Sequence, residues 1–327
     1  MIKKLLISAT LLVASVLAAN AGESIIPITP PGGTDLSQAL LPPTGLYFGL
    51  VTIPFNRNDY LFGINGKPVP SAQNLKISAP INAGVLSYVY PFDVFGGSLK
   101  TSVVLPVEHL CFDIIAVAEK GCVAGLADTY SDLFYWSKSL GLAGVTPGKL
   151  PLQYGLTFAG GMAIKAPTGA YTPSSPLNVG SGSWVAIPNF ALTYTTGPNW
   201  SIGGDSTEVS ARLFYGVPFT NPRRLGSNLP GYTSGNLINV DWSVSERYGP
   251  FRLGVAGAYE TQVSNDTTVG GIPKPHGNRF NLFEIGPVAE YMLPGGVVLK
   301  AKYLRVVAAQ NNANEQFFYL SLGMKIF

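Results

Sequence analysis

From Gly45 to the C-terminus, apolar and polar residues alternate in short stretches broken by clusters of Gly, Pro, Asn and Asp. Successive side chains of a strand point to opposite faces, so period-two runs rich in Tyr, Phe, Val, Leu and Thr predict strands, with the Gly and Pro clusters as turns. Twelve are expected, over 45–54, 74–90, 97–107, 130–139, 152–165, 183–195, 202–215, 236–248, 251–262, 279–292, 297–306 and 315–327. In the tenth, Phe283, Ile285, Pro287, Ala289 and Tyr291 share one face, joined near the rim by Asn281, and Glu284 and Glu290 lie on the other. Val297, Leu299, Ala301 and Tyr303 oppose Lys300 and Lys302 in the eleventh, while the eighth sets Ile238, Val240, Trp242 and Val244 against Asn239, Asp241, Ser243 and Ser245.

The connections carry a second pattern. Gly197-Pro198-Asn199, Gly249-Pro250 and Leu293-Pro294-Gly295-Gly296 are short, whereas the segments after the first, third, fifth, seventh, ninth and eleventh strands are longer. The linker at 140–151 breaks the rule. Alternating short turns and long loops are what a membrane barrel requires, with turns at its periplasmic end and loops outside the cell; Greek-key sandwiches do not produce them. A soluble sheet would also need a second layer over its apolar face, and no amphipathic helix is visible to supply one. The expected fold is therefore all-β, an antiparallel transmembrane up-and-down barrel of about twelve strands. Tyr47, Tyr90, Trp136, Trp184, Tyr194, Trp200, Trp242, Tyr248 and Tyr291 fall near predicted strand ends, where a ring with a polar edge suits the membrane interface.

The N-terminus predicts export. Lys3 and Lys4 precede the apolar run Leu5 to Ala18, and Ala19-Asn20-Ala21 has the small-x-small form of a cleavage site. The expected division is a signal peptide at 1–21, an irregular Pro-rich segment at 22–44 and a barrel at 45–327; a retained N-terminal anchor is the alternative. Nothing in the segment's aperiodic sequence says whether it enters the barrel.

Composition narrows the function classes. Charged residues are 12% of the chain, and the 21 basic against 18 acidic side chains show no clustering of the kind nucleic-acid binding needs. No segment after residue 21 has the 18 consecutive apolar residues of a membrane helix. Cys111 and Cys122 are the only two cysteines. Export into an oxidising compartment favours a disulfide between them, since two cysteines make a poor metal site.

Catalytic signatures are missing from the sequence. There is no G-x-S-x-G elbow or H-E-x-x-H pair, and Gly144 to Lys149 has the wrong spacing for a phosphate loop, with Leu150 in place of the Ser or Thr. His109 and His276 are expected in external loops without partners. No enzyme activity, cofactor or metal is expected.

Alternation instead directs Glu208, Arg212, Asp241, Arg247, Arg252, Glu260, Glu284, Glu290, Lys300 and Lys302 to the lumen, because a Lys or Arg facing lipid at mid-depth costs about 2–4 kcal/mol. Such charges can serve conduction or fill and brace a closed barrel. The chain ends QFFYLSLGMKIF, and a terminal aromatic, here Phe327, is what the outer-membrane barrel-insertion machinery reads. Lys325 shares Phe327's face, opposite Phe318, Leu320, Leu322, Met324 and Ile326.

A family resemblance adds to this reading. Gly125-Leu126-Ala127-Asp128 precedes an aromatic strand ending at Trp136, and Pro167-Thr168-Gly169-Ala170-Tyr171 leads through Asn178-Val179-Gly180 to Trp184 and Ala191-Leu192-Thr193-Tyr194. In these features, and in the strand and turn rhythm that follows, the chain resembles the phenol-degradation meta-pathway family of outer-membrane proteins. The resemblance implies a channel or transport protein for hydrophobic or aromatic compounds. The expected function is passive uptake or binding of small apolar solutes in the bacterial outer membrane, with lipid around the barrel and no nucleic-acid partner. A non-conducting structural or adhesive barrel is the alternative, and a barrel hydrolase the third.

Overall fold

The computed structural model describes residues 28, 32–71, 75–115, 118–141, 153–172, 178–197, 200–223, 230–268 and 279–327. The expected signal peptide, the phosphate-loop-like Gly144 to Lys149 and His276 lie outside them. The strands are β1 (Gly45–Phe62), β2 (Leu75–Ser78), β3 (Ile81–Val94), β4 (Gly97–Ile114), β5 (Glu119–Leu126) and β6 (Thr129–Gly141). There follow β7 (Gly155–Ala166), β8 (Val185–Thr195), β9 (Ser206–Pro218), β10 (Asn221–Arg223), β11 (Pro230–Thr233) and β12 (Leu237–Tyr248). The chain finishes with β13 (Phe251–Gln262), β14 (Thr267–Thr268), β15 (Asn281–Met292), β16 (Val298–Gln310) and β17 (Asn312–Lys325).

Twelve of these strands form a closed antiparallel ring in the order β1, β3, β4, β6, β7, β8, β9, β12, β13, β15, β16, β17. The ring closes where β17 returns to β1, from Tyr47 opposite Lys325 to Phe62 opposite Asn312. Closure leaves no barrel edge, so each strand's backbone groups find partners without water. β2 prolongs the line of β3 across Ala79 and Pro80, and β5 pairs with the upper half of β4 before the chain enters β6. β10, β11 and β14 make a small separate sheet on the loop side.

Burial is inverted relative to a soluble protein. Leu253, Val209 and Phe190 are about half exposed on the outer face, while Glu284 and Asp241 are at 0% and Glu208 at 1%. The outer face fits hydrocarbon and the inner face is filled, so the strand alternation separates lipid from lumen. No helix in the described residues is long and apolar enough to cross a membrane.

Several expectations need correction. β1 and β4 run on to Phe62 and Ile114, well past 54 and 107, and His109 therefore lies on β4 and not in a loop. The expected long loop after the eleventh strand does not exist. β16 and β17 continue to Gln310 and Asn312 and turn at Asn311 alone, with φ of 52°. Asn enters this left-handed region more readily than most residues, and Asn312 and Asn314 beyond it are buried polar strand residues, which is why the stretch reads as a loop. Trp242 is central in β12 and stacks on Phe283 at 6.4 Å, away from the interface.

Candidate functional site

Residues 32–40 lie inside the ring, inserted from the end that carries the short turns and the start of β1. Strand residues on facing walls hold the segment by its backbone. Asp241 on β12 accepts from the amides of Gly32 (3.1 Å) and Thr34 (2.9 Å) and from the Thr34 hydroxyl (2.6 Å). Glu208 on β9 accepts from the Ser37 amide at 2.7 Å and hydroxyl at 2.9 Å. The Gln38 amide donates to Ser210 at 2.8 Å and the Ala39 amide to Thr193 at 3.0 Å. Further round the ring, Tyr135 and Ser137 of β6 donate to the carbonyls of Gln38 (2.7 Å) and Ala39 (2.5 Å). An irregular segment whose backbone lacks secondary structure can be buried only when side chains satisfy it in this way. The segment is a plug.

Its charge lock is Asp35. One carboxylate oxygen lies 2.6 Å from Lys300 and the other 2.8 Å from Lys302, and Lys302 also donates to the Gly32 carbonyl. Lys300 and Lys302 are two apart on β16, so their side chains share the inner face. Burial by itself would discourage charge on Asp35, but the two ammonium groups outweigh it and hold the carboxyl below the usual aspartate range.

Around the plug are two further polar networks. Arg252 pairs with Glu208 and donates to the Ser37 hydroxyl at 2.8 Å. Glu290 lies 3.7 Å from Arg252 and 3.8 Å from Arg247. In the second network, Arg212 bonds Asp132 at 2.9 Å and Asn189 at 2.7 Å, between the rings of Tyr135 and Phe214, while Lys100 reaches Asp132 at 3.3 Å. Higher up, Glu260 accepts from the Ile28 amide at 3.3 Å. Glu284 is fully buried, and neither of its oxygens has a hydrogen-bond partner among the described residues.

All ten charged residues expected on the inner face are buried or half-buried there. Acid and base do not simply pair with their nearest strand neighbour. Glu290 sits directly opposite Lys300 in register, yet Lys300 turns to Asp35. Sequence reasoning missed Asp35 and Gly32 of the plug and the Asp132, Lys100 and Tyr135 group. Asp35 leaves one signal, a carboxylate between Pro30-Pro31 and Pro42-Pro43; Asp132 leaves none, because strict alternation would group it with Phe134 and Trp136 and only the bulge between Asp132 and Phe134 puts it on the inner face with Tyr135.

Two apolar clusters line parts of the lumen among its polar side chains. Ile28 packs with Ala163, Val185, Ile187, Phe214, Leu237 and Phe280 on one wall. Leu36 joins Ile53, Phe62, Leu282, Leu304, Val306, Phe317 and Tyr319 on the other. Leu36 thus sets its apolar cluster directly beside the Asp35 lock, and Ile28 sets the other beside Glu260.

Outside the ring, Cys111 and Cys122 face each other on β4 and β5 and are joined in a disulfide. His109 is 3.6 Å from the Cys111 sulfur, but sulfurs bonded to one another offer no thiolate for a metal. Phe327 is exposed, and its carbonyl accepts from the Leu46 amide at 3.0 Å, tying the C-terminus to the start of β1.

The sequence profile of the family described as "Putative MetA-pathway of phenol degradation" matches residues 63–322. Among solved structures, an outer membrane channel from Pseudomonas putida F1 is similar, with a TM-score of 0.73 at 16% identity over 89% of this chain and 99% of that one. The transport unit of the Escherichia coli autotransporter AIDA-I is more distant, with a TM-score of 0.49 at 10% identity over 95% of this chain and 96% of that one. No curated protein matches by sequence.

Proposed function

The chain belongs to the MetA-pathway phenol-degradation family of outer-membrane barrels, and on that premise we propose that it passes small solutes with an apolar or aromatic body across the outer membrane. The observation that carries this reading is the pair of apolar clusters inside the lumen, each already filled by a residue of the N-terminal segment. A solute entering the lumen finds the walls around Ile28 and Leu36, where apolar area is removed from water at about 25 cal/mol per Å². The plug side chains already occupy those walls, so the solute takes the places of Ile28 and Leu36. Onward passage then requires the plug to leave Asp241, Glu208 and the two lysines. No energy source is involved, and transport runs down the solute gradient.

Liposome uptake tests the reading. Reconstituted barrels should admit phenol-sized aromatic solutes faster than sugars of similar size. Equal rates for the two would refute the solute class.

A second reading has its own support. The plug is ion-paired twice to β16 through Asp35 and hydrogen-bonded to several other strands, as in a barrel that is braced and closed. Under that reading neither the natural chain nor any plug variant conducts. Lipid around the outer face, and insertion machinery acting on Phe327, complete the proposed setting.

A further inference from the structure

The plug residues Asp35 and Leu36 together present a carboxylate beside an apolar body, and the lumen receives the two parts separately. The carboxylate is held by one lysine at each oxygen, 2.6 and 2.8 Å away. Among the described residues, Asp35 is the only carboxylate within ion-pair distance of either Lys300 or Lys302. The next side chain, Leu36, enters the cluster of Leu282, Leu304, Phe317 and Tyr319, and the Lys302 ammonium stands 4.4 Å from the Tyr319 ring centroid. Charge site and apolar site are therefore contiguous.

Lys302 is buried, and removing one partner of a buried pair is costly because the other charge is left uncompensated. A withdrawn plug leaves a site that calls for an anion next to an aromatic wall. We infer that Asp35 and Leu36 are a built-in mimic of the solute, and that the site they fill takes small monocarboxylates with an apolar or aromatic body. Such a solute competes with the plug for Lys300 and Lys302, so its binding and the opening of the lumen are one event. The inference deepens the channel reading and rests on it for its meaning, although the site can be tested without transport.

The experiment is calorimetric titration of the detergent-solubilised full chain with benzoate, with benzyl alcohol as the same body lacking the charge. The natural protein must expel Asp35 first, which lowers apparent affinity by the fraction of vacant site. Asp35→Ala should therefore bind benzoate at least about ten-fold more tightly than the natural chain. Adding Lys302→Met should abolish that gain, and benzyl alcohol should show none of it. Asp35→Asn, nearly isosteric, should give the same ordering and serves if the alanine variant does not fold as a heat-modifiable barrel. Equal gains for benzoate and benzyl alcohol, a gain that survives Lys302→Met, or no gain in either folded Asp35 variant would overturn the inference. Bilayer conductance on the same preparations separates the two readings. Lysine-dependent benzoate binding without conductance in any variant retains the site and defeats the channel; conductance without carboxylate preference does the reverse.

Discussion

The ammonium nitrogen of Lys302 lies 2.8 Å from Oδ2 of Asp35, a contact that spans 267 positions of sequence and fastens the N-terminal plug to the barrel wall. The lysines at 300 and 302 depress the Asp35 carboxyl despite its burial. A carboxyl whose pKa falls on docking stabilises the docked state at every pH above its free value of about 4, and that contribution drains away as pH drops from there toward the bound value. Plug docking should be constant between about pH 5 and 7 and weaken below about pH 4. Bilayer conductance recorded across that range should rise only at the acid end; a rise centred near neutrality would count against Asp35 as the lock.

At Gly32 the plug backbone lies close against the wall. Its φ is +62°, and an added Cβ would stand 2.5 Å from Oε1 of Glu284 and run into Leu304. Both neighbours are fully buried and have little room to yield. Backbone strain alone costs about 1–2 kcal/mol for a non-glycine residue in this region. Gly32→Ala should loosen the plug and leave the ring intact, seen as faster amide exchange at Thr34 and Ser37 with unchanged exchange in β12 and β13.

Val255 on β13 is 42% exposed and directly opposite Val244 on β12, on the lipid face. Val255→Arg should destabilise the barrel by about 2–4 kcal/mol, measured by urea unfolding in lipid vesicles. An effect near zero would mean that this face does not meet hydrocarbon.

The Cys111–Cys122 disulfide braces a hairpin that stands beyond the ring. Closing a short loop constrains mainly the local unfolded chain. Cys111→Ser with Cys122→Ser should expose the β4–β5 hairpin to protease and leave the heat-modifiable migration of the barrel unchanged. Loss of the folded band would show instead that barrel assembly depends on the disulfide.

The ring strands were most legible where both periodicity and turn chemistry spoke. β13 runs from Phe251 to Gln262 as the alternation and the preceding Gly249-Pro250 predict, and β12 departs by one residue. Legibility failed where polar residues point into a filled lumen. Asn312 and Asn314 are buried strand residues beyond the Asn311 turn, but a run of Asn and Gln reads as a loop by composition. The plug was hidden for a different reason. Its bonds go to side chains far along the chain, such as Ser37 to Glu208, and an aperiodic segment carries no local trace of them. Sequence could show that Lys300 and Lys302 face inward; it could not show that the partner they meet is Asp35 and not Glu290.

The most direct test is single-channel conductance of the natural chain beside Asp35→Ala in planar bilayers. Breaking a buried charge pair costs about 3–5 kcal/mol, enough to move the plug from docked to largely released. The variant should show a several-fold larger conductance or open fraction while still migrating as a folded barrel. The same small conductance in both proteins would contradict a lumen closed by residues 32–40 and locked at Lys300 and Lys302.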